Sequence, residues 1–555
     1  MNLNTTPALV TQRAAQRLPR LALLLLCAAY VLPGLIGRDP WRNADQASFG
    51  YMVAMAEGRT PWLAPTIGGL PLDSALLPHW LGAAAIALLS PLTGPAFAAR
   101  VPFGLLLALV LVLTWYATFQ LARSDAAQPV AFAFGGEAAT VDYARALADG
   151  ALLALMASLG LLQQGHETTP ELAQLFAVAL YLWALAAAPS RGWQARAAML
   201  VSLPLLAASG APTIALLLGI SGTLIAWRSG DEPTRGFAPF VAVASALAIG
   251  VGWALRTWGW RIGFVPEWPQ ALQILRLLAW FLWPVWLLAI WTLWRWRGHL
   301  TQRHLALPAS IALACLAASI AGGGFDRALM LGLPAFAVLA AFSLPTLKRA
   351  TSAAVDWFSV FFFSLSALAI WVVFVAMQTG SPARIAANVA KLAPGFAARL
   401  SWPALAIALA GTLAWMALVR WRTGRHRDAL WKSLVLPAGG VALAWLLLMT
   451  LWLPLLDYAR SSRAWVARLA PQVPAGQCIA APDLPRSAVA ALEHFGRWHV
   501  DATPTATSQA CNVLLLTGRT GTPVTLPAGW RVVAREPRPT DRDEITVLLV
   551  RSTPR

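Results

Sequence analysis

Residues Trp357–Met377 read WFSVFFFSLSALAIWVVFVAM, an uncharged run long enough to cross a ~30 Å hydrocarbon core as a single helix. Leu21–Gly37 is a similar run near the N-terminus, and many more follow. Of the 555 residues, 58% are hydrophobic and only 12% charged, whereas soluble proteins carry roughly 25% charged residues. Mean hydropathy is +0.62. These features specify a polytopic α-helical membrane protein. A net charge of +18 would suit a nucleic-acid partner, but the cations sit in short loops between apolar runs. That distribution is the positive-inside pattern, so no nucleic acid is expected. Arg13, Arg17 and Arg20 before the first Leu run look like a signal peptide, read here as an uncleaved first helix.

Run length and flanking charge together give about thirteen spans within residues 1–456. The first, Pro19–Gly37, leads into a long outward loop, 38–99, in which Ala44–Ala56 and Ala75–Leu89 have the character of interfacial helices. Arg100–Ala122 returns, and the polar stretch Arg123–Leu147 forms an inner connection. Leu147–Leu162 goes out to a second outward loop, 163–171, and Leu172–Ala188 comes back. Ala197–Ala208 and Ile214–Trp227 form a tight pair. Gly236–Leu255, Leu275–Trp294, Leu305–Ile320, Ala328–Leu344, Trp357–Met377, Pro403–Val419 and Leu434–Leu456 complete the alternation. Inner segments carry cations, as at Arg420, Arg422, Arg425 and Arg427, while the turns around His166 and Pro212 carry none. An odd number of spans places residues 457–555 on the outer side.

That tail changes character. Short β-like runs (Cys478–Ala481, Cys511–Leu516, Trp530–Ala534, Ile545–Val550) alternate with Pro- and Gly-rich turns, and Ala488–Phe495 reads as a helix. A small α/β domain is expected. Cys478 and Cys511 each start a strand, and in an oxidising compartment they are expected to form a disulfide, two free buried thiols being the other reading. Cys27 and Cys315 lie inside apolar runs. No Cys/His ligand spacing or P-loop is present, so no cofactor is expected, while a divalent metal is left open.

Carboxylates near a membrane are expensive and need a reason. The run Arg38-Asp39-Pro40-Trp41-Arg42-Asn43-Ala44-Asp45-Gln46 opens a helix at Asp45, and either Asn43 or Asp45 serves as a helix cap or Asp45 carries chemistry. The next elements in order are Tyr51, Trp62-Leu63-Ala64-Pro65, Gly69-Leu70-Pro71, Pro78-His79-Trp80-Leu81 and Ala98-Ala99-Arg100-Val101-Pro102. This series resembles the N-terminal signature of the GT-C glycosyltransferases, in the branch of lipid A aminoarabinose transferase and protein O-mannosyltransferase-like enzymes.

The resemblance implies a sugar transferred from a polyprenyl-phosphate carrier to lipid A, an envelope glycan or a protein at the periplasmic face of the cell inner membrane. The N-terminus would be cytoplasmic and the C-terminal domain periplasmic. Asp45 falls at the family's catalytic position, where a carboxylate acts as general base on an acceptor hydroxyl. Glu171, with Glu167 a turn earlier, falls at the second acidic position; a first-turn charge favoured by the helix dipole is its other reading. Cations on the outer side, namely Arg38, Arg42, Arg100, Arg256, Arg261 and Arg327, are candidates for the donor phosphate alongside His79, or they snorkel to headgroups. Trp41, Tyr51 and Trp80 are candidates for stacking on the sugar, as are the outward Trp62, Trp258, Trp260 and Trp268, and interfacial anchoring is the competing role.

The series departs from the family in three places. Leu72–Pro78 stands where relatives carry a Lys-Pro-Pro lysine, Gln46 replaces a Glu, and Ser209-Gly210-Ala211-Pro212 replaces a Lys-Gly-Pro turn. A degenerate, non-catalytic partner of an envelope assembly is therefore the second reading. A lipid-linked transporter is the third, weakened by the lack of paired broken helices and by the scarcity of ionisable residues within the spans.

Overall fold

The computed structural model describes residues 6–73, 75–259, 263–265, 267–424, 429–474, 476–506, 511–521 and 526–551, without the side chain at 542. Arg261, Trp260, Arg425 and Arg427 lie outside the described residues. Among those described, eight helices are long and apolar enough to cross a membrane, or nine if one sharply bent pair counts as a single span. Three shorter apolar helices, Arg20–Val31, Pro212–Trp227 and Leu333–Thr346, accompany them. Every expected span has helical structure at its place.

Several boundaries differ from expectation, with identifiable causes. Leu275–Trp294 is not one rod: Trp268–Phe281 and Val285–Arg295 meet at 90°, at Pro284, where the ring removes a backbone donor. The helix expected at Leu147 begins at Thr140 and breaks after Ala157, and the short helix Leu159–Gln164 follows. Leu434–Leu456 is likewise divided, into Lys432–Thr450 and Leu453–Arg460. The outward loop after Trp357–Met377 holds a helix not foreseen, Ala383–Leu392. Leu76–Thr93, expected as an interfacial helix, has the length and apolarity of a span.

The centre of the bundle is made by Ala-rich helices. Pro170–Ala187 and Lys432–Thr450 each have 78% of their most apolar window buried inside the protein, against 11% for Trp402–Thr423. Small side chains let backbones approach closely where lipid supplies no hydrophobic drive, so Ala and Gly favour the inner positions.

The tail forms a five-stranded sheet in the order His499–Asp501, Cys478–Ala480, Val513–Arg519, Asp541–Arg551, Trp530–Arg538. The first two pairings are parallel and the last two antiparallel. His499–Asp501 is a strand not anticipated, too short to register as a pattern. Helix Arg486–Gly496 crosses between the parallel strands, and Cys478 and Cys511 are joined as a disulfide with Cα atoms 4.9 Å apart. The tail is not an appendage. Its apolar core includes Tyr51, Ala54 and Ile67 of the first outward loop.

Helix Ala44–Ala56 accordingly does not lie in a lipid interface. Nearly every residue from Asp45 to Met55 is buried, as expected for a helix packed on all sides. One side meets the membrane bundle. The other meets the tail, and at Gly50 an added Cβ would sit 2.3 Å from that of Ala490.

Candidate active site at the junction of loops 38–99 and 163–171

Asp45 stands in the first turn of Ala44–Ala56 and is only 2% exposed. It does not simply cap its helix, and Asn43, at the cap position, makes no side-chain cap bond. The backbone N–H and the hydroxyl of Thr168 both donate to Asp45 Oδ1 at 2.8 Å. The N–H of Trp41 donates to Oδ2 at 3.1 Å, and Arg38 Nη2 lies 3.5 Å from that oxygen. The carboxylate thus pins the second outward loop to the first. Burial alone would raise its pKa, but Arg38, Arg100 and the N–H donors of Thr168 and Trp41 reverse that and hold it below the usual range.

Two arginines complete this half of the site. Arg38 donates to the carbonyl of His166 at 2.5 Å and packs over the Trp41 ring at 4.7 Å. Arg100, from helix Pro95–Ala122, donates to the carbonyl of Arg38. Both side chains are buried, yet Arg38 Nε and Nη1 and Arg100 Nε have no acceptor among the described residues. Buried donors normally find partners. Two guanidinium groups with spare N–H vectors beside one carboxylate carry an excess positive charge and can each take a further anionic acceptor.

The second half is an arginine held between two acids. Arg327 Nη2 lies 2.6 Å from Glu167 and Nη1 3.3 Å from Glu171, with Thr169 Oγ1 at 2.9 Å. Burial pushes the Glu167 carboxyl pKa up despite Arg327, and nearby Asp45 adds to the rise. His166 packs between Tyr30 and Trp445 at ring distances of 5.7 and 4.7 Å. Burial lowers its pKa to about 4. Both ring nitrogens face carbonyl oxygens, of Leu162 and Tyr30, and a neutral ring can donate to only one of them.

The expected site residues divide in space. Arg38, Trp41, Asp45, Arg100, Glu167, Glu171 and Arg327 converge through the 166–171 turn. Arg42 instead turns toward Asp541 of the tail, 4.0 Å away. His79 Nε2 pairs with Ser48 at 3.0 Å, and the Tyr51 hydroxyl bonds the carbonyls of Leu70 and Pro71 and accepts from Arg486. Trp80 donates to the carbonyl of Trp62 at 2.7 Å. Arg256 is exposed, and no contact links it to Asp45.

Other residues at this junction escape sequence reasoning. Asp457 accepts from Trp41 Nε1 at 2.8 Å and from the N–H of Asp39. Burial raises its pKa to about 7, with Trp41 opposing and Asp39 adding to the rise. Asp39 receives two N–H bonds from Arg463, at 2.8 and 2.7 Å, and Gln46 accepts from Ser462 at 3.0 Å. The signal available was the cluster Arg460-Ser461-Ser462-Arg463 just beyond the last span, polar residues with no role inside a membrane anchor. Among the described residues, no three His, Cys, Asp or Glu side chains group as a metal site would require.

No protein-family model matches the sequence, and no curated protein matches it. Solved structures do. ArnT from Cupriavidus metallidurans bound to undecaprenyl phosphate superposes with a TM-score of 0.63 at 15% identity, over 95% of this chain and 97% of that one. The apo state of the same protein gives 0.64 at 14% identity with the same coverage. This chain therefore shares the GT-C fold of that protein over 95% of its length.

Proposed function

We propose that the chain is an integral-membrane glycosyltransferase that takes a sugar from a polyprenyl-phosphate carrier and passes it to an acceptor at the outer face of the cell inner membrane. The observation that carries this reading is the pair of buried arginines, Arg38 and Arg100, with unpartnered N–H groups beside the ionised Asp45. A phosphate-linked donor would satisfy those N–H groups. The fold supports the reading, since the similar ArnT structure holds undecaprenyl phosphate.

In this scheme Asp45 accepts the proton of an acceptor hydroxyl as that oxygen bonds the anomeric carbon and the carbon–oxygen bond to phosphate breaks. The leaving phosphate needs no protonation, so a weak base suffices and no covalent intermediate is required. Because Asp45 is engaged by Thr168, the acceptor displaces that hydroxyl bond on arrival. Glu171, Glu167 and Arg327 form the facing wall. The acceptor class (lipid A, another envelope glycan or a protein) follows from whichever partner enters there. The N-terminus is cytoplasmic and residues 457–555 periplasmic in this reading.

Asp45→Asn keeps the size of the side chain and an acceptor oxygen for the two Thr168 donors, but removes the charge and turns an NH2 donor toward the Trp41 N–H and Arg38. It is expected to abolish transfer from a labelled polyprenyl-phosphate sugar while the purified protein still elutes as a single species. Full activity in that variant would refute the role of Asp45.

One observation favours the degenerate reading. The stretch where relatives carry the lysine is given over to docking the tail: Asp73 pairs with Arg486 at 3.2 Å, and Leu72 packs against the tail core. If that reading holds, the purified protein neither binds nor consumes any polyprenyl-phosphate sugar, and it co-purifies with an envelope partner.

A further inference from the structure

A cavity of about 510 Å³ opens on the flank of the bundle between Arg20–Val31, Trp402–Thr423 and Lys432–Thr450. Its wall along the first helix runs from the cap residue Pro19 to Ala29, about 15 Å at 1.5 Å per residue, the depth of half a ~30 Å hydrocarbon core. The lining is apolar apart from one end, where Gln16 and Arg17 stand beside Trp421 and Trp431. Those two tryptophans stack at 6.2 Å with rings 3° apart, and Trp431 donates to the carbonyl of Gln16 at 2.7 Å. Tryptophans at a polar rim mark the level of lipid headgroups.

This end lies opposite the Asp45 site. Tyr30 and Trp445, at the far ends of two of the same helices, are the residues packed on His166. Arg17 lines the cavity and is exposed, as are Arg13 and Arg20 close by in sequence; Arg420 is exposed at the end of the wall helix, and no Asp or Glu lines the cavity, although Asp149 accepts from the N–H of the lining residue Leu18 at 2.9 Å. A greasy trough one leaflet deep under a cationic rim matches an anionic glycerophospholipid, with one acyl chain in the trough and the phosphate against Arg17. A polyprenyl-phosphate donor would present its phosphate at the other end.

We infer that this flank is a binding site for an anionic phospholipid of the leaflet opposite the Asp45 site. The site does not depend on the transferase reading. Full-length protein is reconstituted in nanodiscs of phosphatidylcholine containing phosphatidylglycerol and then extracted in mild detergent. Retained lipid is measured by native mass spectrometry. Phosphatidylglycerol is expected to be enriched on the protein over its share of the bilayer. Arg17→Gln with Arg20→Gln should cut that enrichment by about ten-fold or more, since each interfacial arginine contributes roughly a five-fold preference for anionic lipid. Ala22→Phe, a change at an exposed lining position, should fill the trough and remove retention of both lipids with the melting temperature in detergent kept. Equal retention of the two lipids, retention unaffected by either variant, or displacement of the bound lipid by polyprenyl phosphate would each overturn the assignment.

Discussion

Arg38 does more at the site than any other single side chain. It neutralises Asp45, holds the His166 carbonyl and lies over Trp41. Removing one member of a buried ion pair leaves an uncompensated charge and costs roughly 3–5 kcal/mol, whereas replacing both by apolar groups of similar size is often neutral. Arg38→Met is therefore expected to lower stability in detergent by about 3 kcal/mol, and Arg38→Met with Asp45→Leu to cost clearly less than the two single losses summed; a double-variant loss equal to that sum would show that the pair is not coupled. Asp457 gives the residue scale a pH signature. Burial raises its folded pKa to about 7, well above the ordinary carboxylate value of 3.8, so between those values the folded state binds more protons than the unfolded one. Its contribution is thus most favourable below about pH 4 and is lost as pH rises to about 7. Melting curves across that window should fall more steeply with rising pH for the parent than for Asp457→Asn. Taking the difference removes the opposite trend of His166 and His494, whose pKa values burial lowers to about 4.

At the level of elements, helix Ala44–Ala56 is the part that sequence reasoning placed correctly along the chain and wrongly in space. Its position was legible because Asp45 precedes apolar residues at helical spacing. Its enclosure was not, because the covering helix Arg486–Gly496 lies over 400 residues away and the contact depends on Gly50, which carries no hydrophobic signal. The spans were legible for the opposite reason: solvation by lipid acts on each run locally, whatever its neighbours. The bend at Pro284 was hidden because proline inside an apolar run is common in membrane helices and does not announce its angle. Among site residues, Asp45, Arg38 and Arg327 stood out as charges with no business near lipid, while the Thr168 contact, through a backbone N–H and a hydroxyl, spans a sequence separation of 123 that no local pattern reports. The close approach at Gly50 is open to test. Gly50→Leu should force the two helices apart, at a cost typical of overpacking, about 1–3 kcal/mol, and make the tail susceptible to limited proteolysis. Adding Ala490→Gly should restore part of the protection, because the nearest clash is with the Ala490 side chain.

For the whole molecule, the tail behaves as the outer wall of the site. Arg463 grips Asp39, Ser462 grips Gln46 and Glu493 accepts from the N–H of Gly68, so the first outward loop is held between the bundle below and the sheet above. Whatever loosens the sheet should then loosen Asp45 without touching it. The disulfide Cys478–Cys511 is the lever, since it closes a loop of sequence separation 33 and joins the start of one central strand to the approach to the next. In the chain-entropy account a closure of that length stabilises the folded tail by up to about 4 kcal/mol. Cys478→Ala with Cys511→Ala leaves the membrane bundle intact and is expected to lower the first melting transition. Transfer activity should fall in parallel as the Asp39–Arg463 and Gln46–Ser462 contacts fray. Separating the two effects needs only temperature. Well below the new transition the variant should recover near-parental activity, because the contacts re-form once the tail is folded. If activity stays low where the tail is demonstrably folded, the disulfide contributes to the site directly rather than through tail stability. If activity is unchanged even where the tail has melted, the tail is not the wall of the site.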